Sequence, residues 1–192
     1  MLLTSVQTIR EEIGFDDMKD INAAITMALN AAETLIASTL RTTFERKTVT
    51  DRFWVPEPSF VQGAHRRTEF LLSAGFIADT PAITGGPANM LLDKEKGIAR
   101  DFSTFYVQQI VEFTYTCGFE KSDEQNGEEA DTYKDVPAWL QQAAKLKTLL
   151  LVAKLPAVTE AGISLETNLL DQQYASLINS HIRYAPAAIL PI

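Results

Sequence analysis

The stretch Val111-Glu112-Phe113-Thr114-Tyr115-Thr116-Cys117-Gly118-Phe119, followed after an acidic run by Asp135-Val136-Pro137-Ala138-Trp139-Leu140, decides how this chain reads. From Tyr106 to Cys117, Val107, Gln109, Val111, Phe113, Tyr115 and Cys117 alternate with Gln108, Ile110, Glu112, Thr114 and Thr116. Successive side chains of a strand point to opposite faces. The run therefore predicts one mostly apolar and one mostly polar face, as in an antiparallel sheet covered on one side. A helix is predicted from Val136-Pro137 to Leu155-Pro156. Proline is tolerated at its start because first-turn N–H groups have no intrahelical partner. Leu140, Ala143, Ala144, Lys147, Leu150, Leu151 and Lys154 fall along one side of it.

Towards the start of the chain, Phe15-Asp16-Asp17 precedes Ile21, Ala24, Ile25, Ala28, Leu29, Ala32, Leu35, Ile36 and Leu40 at three- and four-residue spacing. This pattern predicts a helix over 16–40, capped by Asp16 or Asp17, with small residues that let a second helix approach closely. Phe44–Val55 and Thr68–Ala74 read as extended runs, the first ending at Pro56-Glu57-Pro58. Pro81, Gly85, Gly86 and Pro87 punctuate Ala78–Asn89, which predicts loop or turn. Leu91-Leu92 and Ile98 flank Asp93–Gly97, a hairpin in which Gly97 supplies a positive φ. Gly118–Asp135 is polar and predicts an exposed, mobile loop. A last helix is expected over Thr167–Ile182, and Pro186 and Pro191 keep Tyr184–Ile192 from being regular helix throughout. The elements together predict an α+β chain, mainly α, with no internal repeat.

Composition narrows the function classes. Hydrophobic residues make up 46% of the 192, enough for a core, and the net charge of −8 argues against a generic nucleic-acid binder. Glu120–Asp135 holds seven acids and two lysines, so a local net of −5 accounts for most of that charge. Cys117 is the one cysteine, so no internal disulfide is available and assembly in the cytosol is expected. Met1-Leu2-Leu3-Thr4 lacks the basic-then-apolar layout of a signal peptide, and the longest apolar run, Leu149–Ala153, is too short to cross a bilayer. A soluble chain with no membrane partner is expected.

The residues offer little for catalysis. Cys117 with His65 or His181 is the one candidate nucleophile and base pair, and a partly buried structural thiol is the preferred reading. Two isolated histidines and one cysteine give no zinc spacing, and the acidic run lacks the alternating oxygen ligands of a calcium loop. Thr84-Gly85-Gly86-Pro87 lacks the Lys-Ser/Thr of a phosphate cradle. No catalytic residue, metal or cofactor is therefore expected. His65-Arg66-Arg67 is the one compact basic cluster, read as a surface turn or subunit contact ahead of a phosphate contact. The run Tyr184-Ala185-Pro186-Ala187-Ala188-Ile189-Leu190-Pro191-Ile192 has no charged side chain. It is expected either to fold back on its own core or to dock on a partner as an added strand.

The order of these elements resembles the head–tail connector (adaptor) family of tailed bacteriophages. The resemblance rests on Phe113-Thr114-Tyr115-Thr116-Cys117-Gly118-Phe119 and on Val136-Pro137-Ala138-Trp139-Leu140-Gln141-Gln142-Ala143, and covers about Asp16–Leu155. It implies a small helical bundle with an inserted antiparallel β-hairpin or sheet and a C-terminal extension. Residues 1–183 would form a single domain with a β-rich insertion at 44–117, followed by the apolar tail 184–192. It implies a structural virion protein of the neck, assembled in the host cytoplasm, that forms a ring, commonly twelve-fold, between the portal and the stopper or tail terminator. Such a ring extends the DNA channel without sequence-specific binding. By the same resemblance, Tyr184, Pro186, Ile189, Leu190, Pro191 and Ile192 would engage the portal, and deleting Pro186–Ile192 would abolish that binding while leaving the fold intact. Glu124, Glu128, Glu129, Arg66 and Arg67 would face the channel or a neighbouring subunit. The competing readings are a tail-completion or stopper protein, a DNA-packaging factor working through His65–Arg67, and a small hydrolase using Cys117.

Overall fold

A computed structural model describes residues 3–14, 21–55, 68–86, 90–101, 109–122, 132–155, 166–183 and 188–192. The chain divides into two compact units. Met1–Leu40 with Glu120–Ile182 is helical, and Arg41–Phe119 with Arg183–Ile192 is built on β-structure. The α+β class is therefore what the chain adopts.

In the helical unit, α1 spans Val6–Ile13, α2 Asn22–Leu40, α3 Ala138–Val152 and α4 Thr167–His181. The sequence reading passed over α1, although its signals are local. The Thr8 amide donates to the Ser5 side chain at 3.0 Å, Ile9 and Ile13 face inward, and Gly14 closes the helix at φ 79. The start of the predicted α2, with Asp16 and Asp17, lies outside the described residues. Helix α3 follows Pro137, whose carbonyl accepts from the amides of Leu140 at 2.9 Å and Gln141 at 3.1 Å.

Helix α3 packs on α1, α2 and α4. Its Leu149 and Val152 join Ile9, Ile13, Ile21, Ile25, Ala28 and Leu29 in one apolar cluster. The alanines of α2 allow this close approach, as their spacing predicted. By length and composition α2 is apolar enough to cross a bilayer; its Ile25, Leu29, Ala32 and Ile36 are enclosed, while Met27 and Leu35 are exposed. Lys121 bridges Tyr133, the Ser122 amide donates to the Thr132 carbonyl at 3.0 Å and the Lys134 amide to the Glu120 carbonyl at 2.8 Å. The base of the acidic segment is thus pinned as a short antiparallel ladder, where the sequence reading expected mobile loop.

In the β unit, β1 (Lys47–Val55), β6 (Gln109–Cys117) and β3 (Ala82–Thr84) form one antiparallel sheet in the order β1-β6-β3. A second sheet has β2 (Thr68–Leu71), β5 (Ile98–Asp101) and β4 (Leu91–Asp93) in the order β2-β5-β4. Strand β6 alternates as predicted, with Val111, Phe113, Tyr115 and Cys117 buried and Ile110 half exposed. The predicted hairpin is β4–β5, with Gly97 at φ 60. Strand β3 corrects the expectation of loop for Ala78–Asn89. Its three residues sit between Pro81 and Gly85, so local signals read as turn, and only pairing of Ala82 with Thr114 makes it a strand. Phe53, Phe70 and Phe113 meet at the centre, with ring centroids 5.2 to 5.4 Å apart.

Candidate functional site: the terminal strand and its seat

Arg183 follows α4 and is almost completely buried in the β unit. Its guanidinium group donates to the carbonyls of Lys96 at 2.6 Å and Ser73 at 3.2 Å, and to those of Leu72 and Arg41. One side chain thereby ties three loop segments together. A planar fork of five donors is suited to this, since each acceptor is a fixed main-chain oxygen. Burial lowers the Arg183 pKa, and the nearby Tyr115 and Asp51 oppose that lowering. Gly97 leaves the room required: a Cβ there would stand 2.2 Å from the Ala74 carbonyl oxygen and 3.2 Å from an Arg183 nitrogen.

Beside it, Asp51 accepts from the Ser73 amide at 2.7 Å, the Tyr115 hydroxyl at 2.7 Å and the Ser73 hydroxyl. The Tyr115 hydroxyl in turn accepts from the Ala74 amide at 3.1 Å. Desolvation is the main cause raising the Tyr115 pKa, so the phenol keeps its proton. With their hydrogen bonds spent on one another, these groups fix residues 72–75 against the sheet. Their chemistry is that of a buried structural network.

The last residues rest on this frame. The Ile189 amide donates to the Glu69 carbonyl at 2.7 Å, and its carbonyl accepts from the Leu71 amide at 3.1 Å, so Ile189 pairs in parallel with Phe70. The Ile192 amide donates to the Arg52 carbonyl at 2.8 Å. The terminal segment therefore bonds to the edge of β2 through a bridge at Ile189 and to the edge of β1 at one carbonyl, that of Arg52. Ile189 packs against the aromatic core, while Leu190 is 57% and Ile192 78% exposed. Ile189 thus folds back on the chain's own core, one of the two expectations for this run, while Leu190 and Ile192 are exposed. Tyr184 and Pro186 lie outside the described residues.

Cys117 is completely buried, and its thiol donates to the Lys47 carbonyl at 3.6 Å. Burial raises its pKa, the reverse of what an attacking thiolate needs. His181 belongs to the helical unit and stacks on Trp139 at 3.6 Å. Arg66, Arg67, Glu124, Glu128 and Glu129 lie outside the described residues, as does His65. Among the described residues no group of three or more His, Cys, Asp or Glu side chains is placed to hold a metal ion.

The residues that carry the resemblance have structural work. Gly118 turns the chain out of β6 at φ 85, and a Cβ there would lie 2.4 Å from the Glu45 carbonyl oxygen. Phe119 then packs on Phe76 at 5.1 Å and Phe44 at 6.3 Å. Sequence reasoning missed Asp51, Arg183 and Glu33. Two of them left a signal: Asp51 shares the inward phase of Phe53 and Val55, and Glu33 lies among the buried positions of α2. Arg183, outside any regular element, left none.

No protein-family model and no curated protein sequence matches the chain. Solved structures do. A chain in the virion of a native gene transfer agent (GTA) particle aligns at 15% identity and TM-score 0.51, over 95% of this chain and 91% of that one. Chains in the neck of empty and native GTA particles, computed with C6 and C12 symmetry, align at 14% identity with TM-scores of 0.47 and 0.45. The first of these likenesses shows that the fold, taken over almost the whole of both chains, is shared.

Proposed function

We propose that this chain is a structural protein of the neck of a phage-like particle, an adaptor that forms a ring between the portal and the stopper or tail and prolongs the DNA channel. The observation that carries the reading is the shared fold with a chain of the GTA virion, 95% of this chain against 91% of that one. The Phe113–Phe119 and Val136–Ala143 resemblance supports the same assignment independently of overall shape. The buried thiol of Cys117, with its raised pKa, favours a non-enzymatic part over the hydrolase reading.

In this reading Leu190 and Ile192 are the apolar contacts offered to the portal, held in place by Ile189. Glu124, Glu128 and Glu129 belong to an acidic run that would let DNA slide past, because like charges repel and no counterion release favours binding. Electron microscopy of a lysate from particles carrying an early stop codon in this gene tests the proposal. Separate tails beside empty or leaking heads are expected. Intact tailed particles would overturn it.

A further inference from the structure

Leu3 lies ahead of α1 and is 2% exposed, and its amide donates to the side chain of Glu33 on α2. Glu33 is the one acidic or basic residue among the 19 of α2, and it stands between Leu29 and Ile36 on the buried side of that helix. A side chain from the middle of α2 thus holds the backbone of a residue 30 positions earlier.

Helix α1 does not need that attachment. Its first turn is closed by Ser5, whose hydroxyl accepts from the Thr8 amide at 3.0 Å and pairs with the Thr8 hydroxyl at 2.7 Å. Leu3 also stands outside the apolar cluster in which Ile9 and Ile13 of α1 meet Ile25, Leu29, Leu149 and Val152. Residues 3 and 4 can therefore leave α2 by rotation about Ser5, while α1 keeps its cap and its core contacts.

The charge on Glu33 decides whether they stay. A neutral carboxyl is buried at modest cost, and the Leu3 amide satisfies one of its oxygens. A carboxylate in the same place has a single main-chain donor where water would supply several, so burial raises its pKa from 4.5 to about 7. The Leu3 bond and the amino-terminal charge lower it without cancelling that effect. The charges of the neighbouring helices are engaged elsewhere. On α1, Arg10 bonds to Asn22 at 3.5 Å, Glu11 accepts from Gln7 at 2.9 Å, and Glu12 pairs with Lys145 of α3 at 2.9 Å. Lys147 of α3 lies over the Tyr174 ring, Asp171 of α4 acts on Tyr174, and His181 stacks on Trp139.

We infer that residues 3 and 4 are a flap worked by pH, closed over α2 while Glu33 carries its proton and lifted from it when Glu33 ionises. The closed form is favoured in full below pH 4.5. That preference falls as pH rises to about 7, by roughly two orders of magnitude, because the open form releases the proton more readily. Burying one leucine weights the closed form by roughly ten- to a hundredfold. The two weights are of one order, so the balance turns near neutral pH. Lifting the flap admits water to Glu33. The inference does not depend on the neck assignment.

A nitroxide on Thr4→Cys of the full chain reads the flap by its mobility with Glu33 unchanged, since Cys117 is enclosed and takes no label. From pH 5 to 8 the ratio of mobile to immobile label is expected to rise at least tenfold, with helix content by circular dichroism constant. Adding Glu33→Gln should hold the ratio at its pH 5 value throughout. A ratio that stays the same between pH 5 and 8 would overturn the inference, as would an equal rise in the Glu33→Gln chain. A rise accompanied by loss of helix would also overturn it, because the titration would then open the whole helical unit.

Discussion

The Tyr115 hydroxyl on β6 donates to the Asp51 carboxylate on β1 at 2.7 Å, although Asp51 lies directly opposite Phe113 in the register. The bond is a diagonal one across the strand pair, two residues out of step. It places a carboxylate beneath residues 73 and 74, where the two Ser73 donors and the Ala74 amide complete the network. Tyr115→Phe should therefore cost about 1–3 kcal/mol, since it leaves the buried Ala74 amide without its acceptor. Asp51→Ala should cost more, because it strands three donors at once. Denaturant unfolding of both variants checks the order, and equal stabilities would show the network to be dispensable.

Gly118→Ala addresses the resemblance motif. The residue sits at φ 85, and the added Cβ would meet the Glu45 carbonyl oxygen at 2.4 Å. More than about 1 kcal/mol of destabilisation is expected. Gly14→Ala is the control: its φ of 79 is similar but nothing lies within 4 Å of its Cβ position. It should cost less, and a comparable loss at both sites would remove the steric part of the argument.

Glu33 gives the helical unit a pH dependence. Burial pushes its pKa from 4.5 up to about 7, against the opposing effect of the hydrogen bond from the Leu3 amide. Below about pH 4.5 the carboxyl is protonated in both folded and unfolded chains. Between about 4.5 and 7 the folded chain holds a proton that the unfolded chain releases, so stability falls as pH rises through that window and then levels. Glu33→Gln should flatten this slope and raise the melting temperature at pH 8. A slope unchanged by the substitution would assign the pH dependence to other groups.

The terminal strand separates packing from docking. Ile189→Asp sets a charge against the edge of the aromatic core, where Ile189 is half-buried, and should destabilise the β unit by about 1–3 kcal/mol. Leu190→Asp with Ile192→Asp should leave the melting temperature nearly unchanged and weaken capture by purified portal at least tenfold. Normal capture by that double variant would end the portal assignment for these side chains. Deleting Pro186–Ile192 is a poorer experiment than the sequence implied, because it also removes the main-chain bonds that Ile189 and Ile192 make to β2 and β1.

What the sequence determined by itself was local and periodic. The alternation of Val111, Phe113, Tyr115 and Cys117, the spacing of Ile25, Leu29, Ala32 and Ile36, and the hairpin glycine at 97 each state a conformation within about one turn or one strand of chain. Helix α1 was legible in the same way from Ser5, Ile9, Ile13 and Gly14, and was passed over. The tertiary structure alone decided the rest. Strand β3 exists through pairing with a strand about thirty residues away, Arg183 is buried because four distant carbonyls converge on it, and the apolar tail divides between Ile189, half-buried against the core, and Leu190 and Ile192, which are exposed. Periodicity records which side of an element is apolar. It cannot record which other element, from elsewhere in the chain or from another copy, comes to cover that side, because that choice is made by contacts with no local trace.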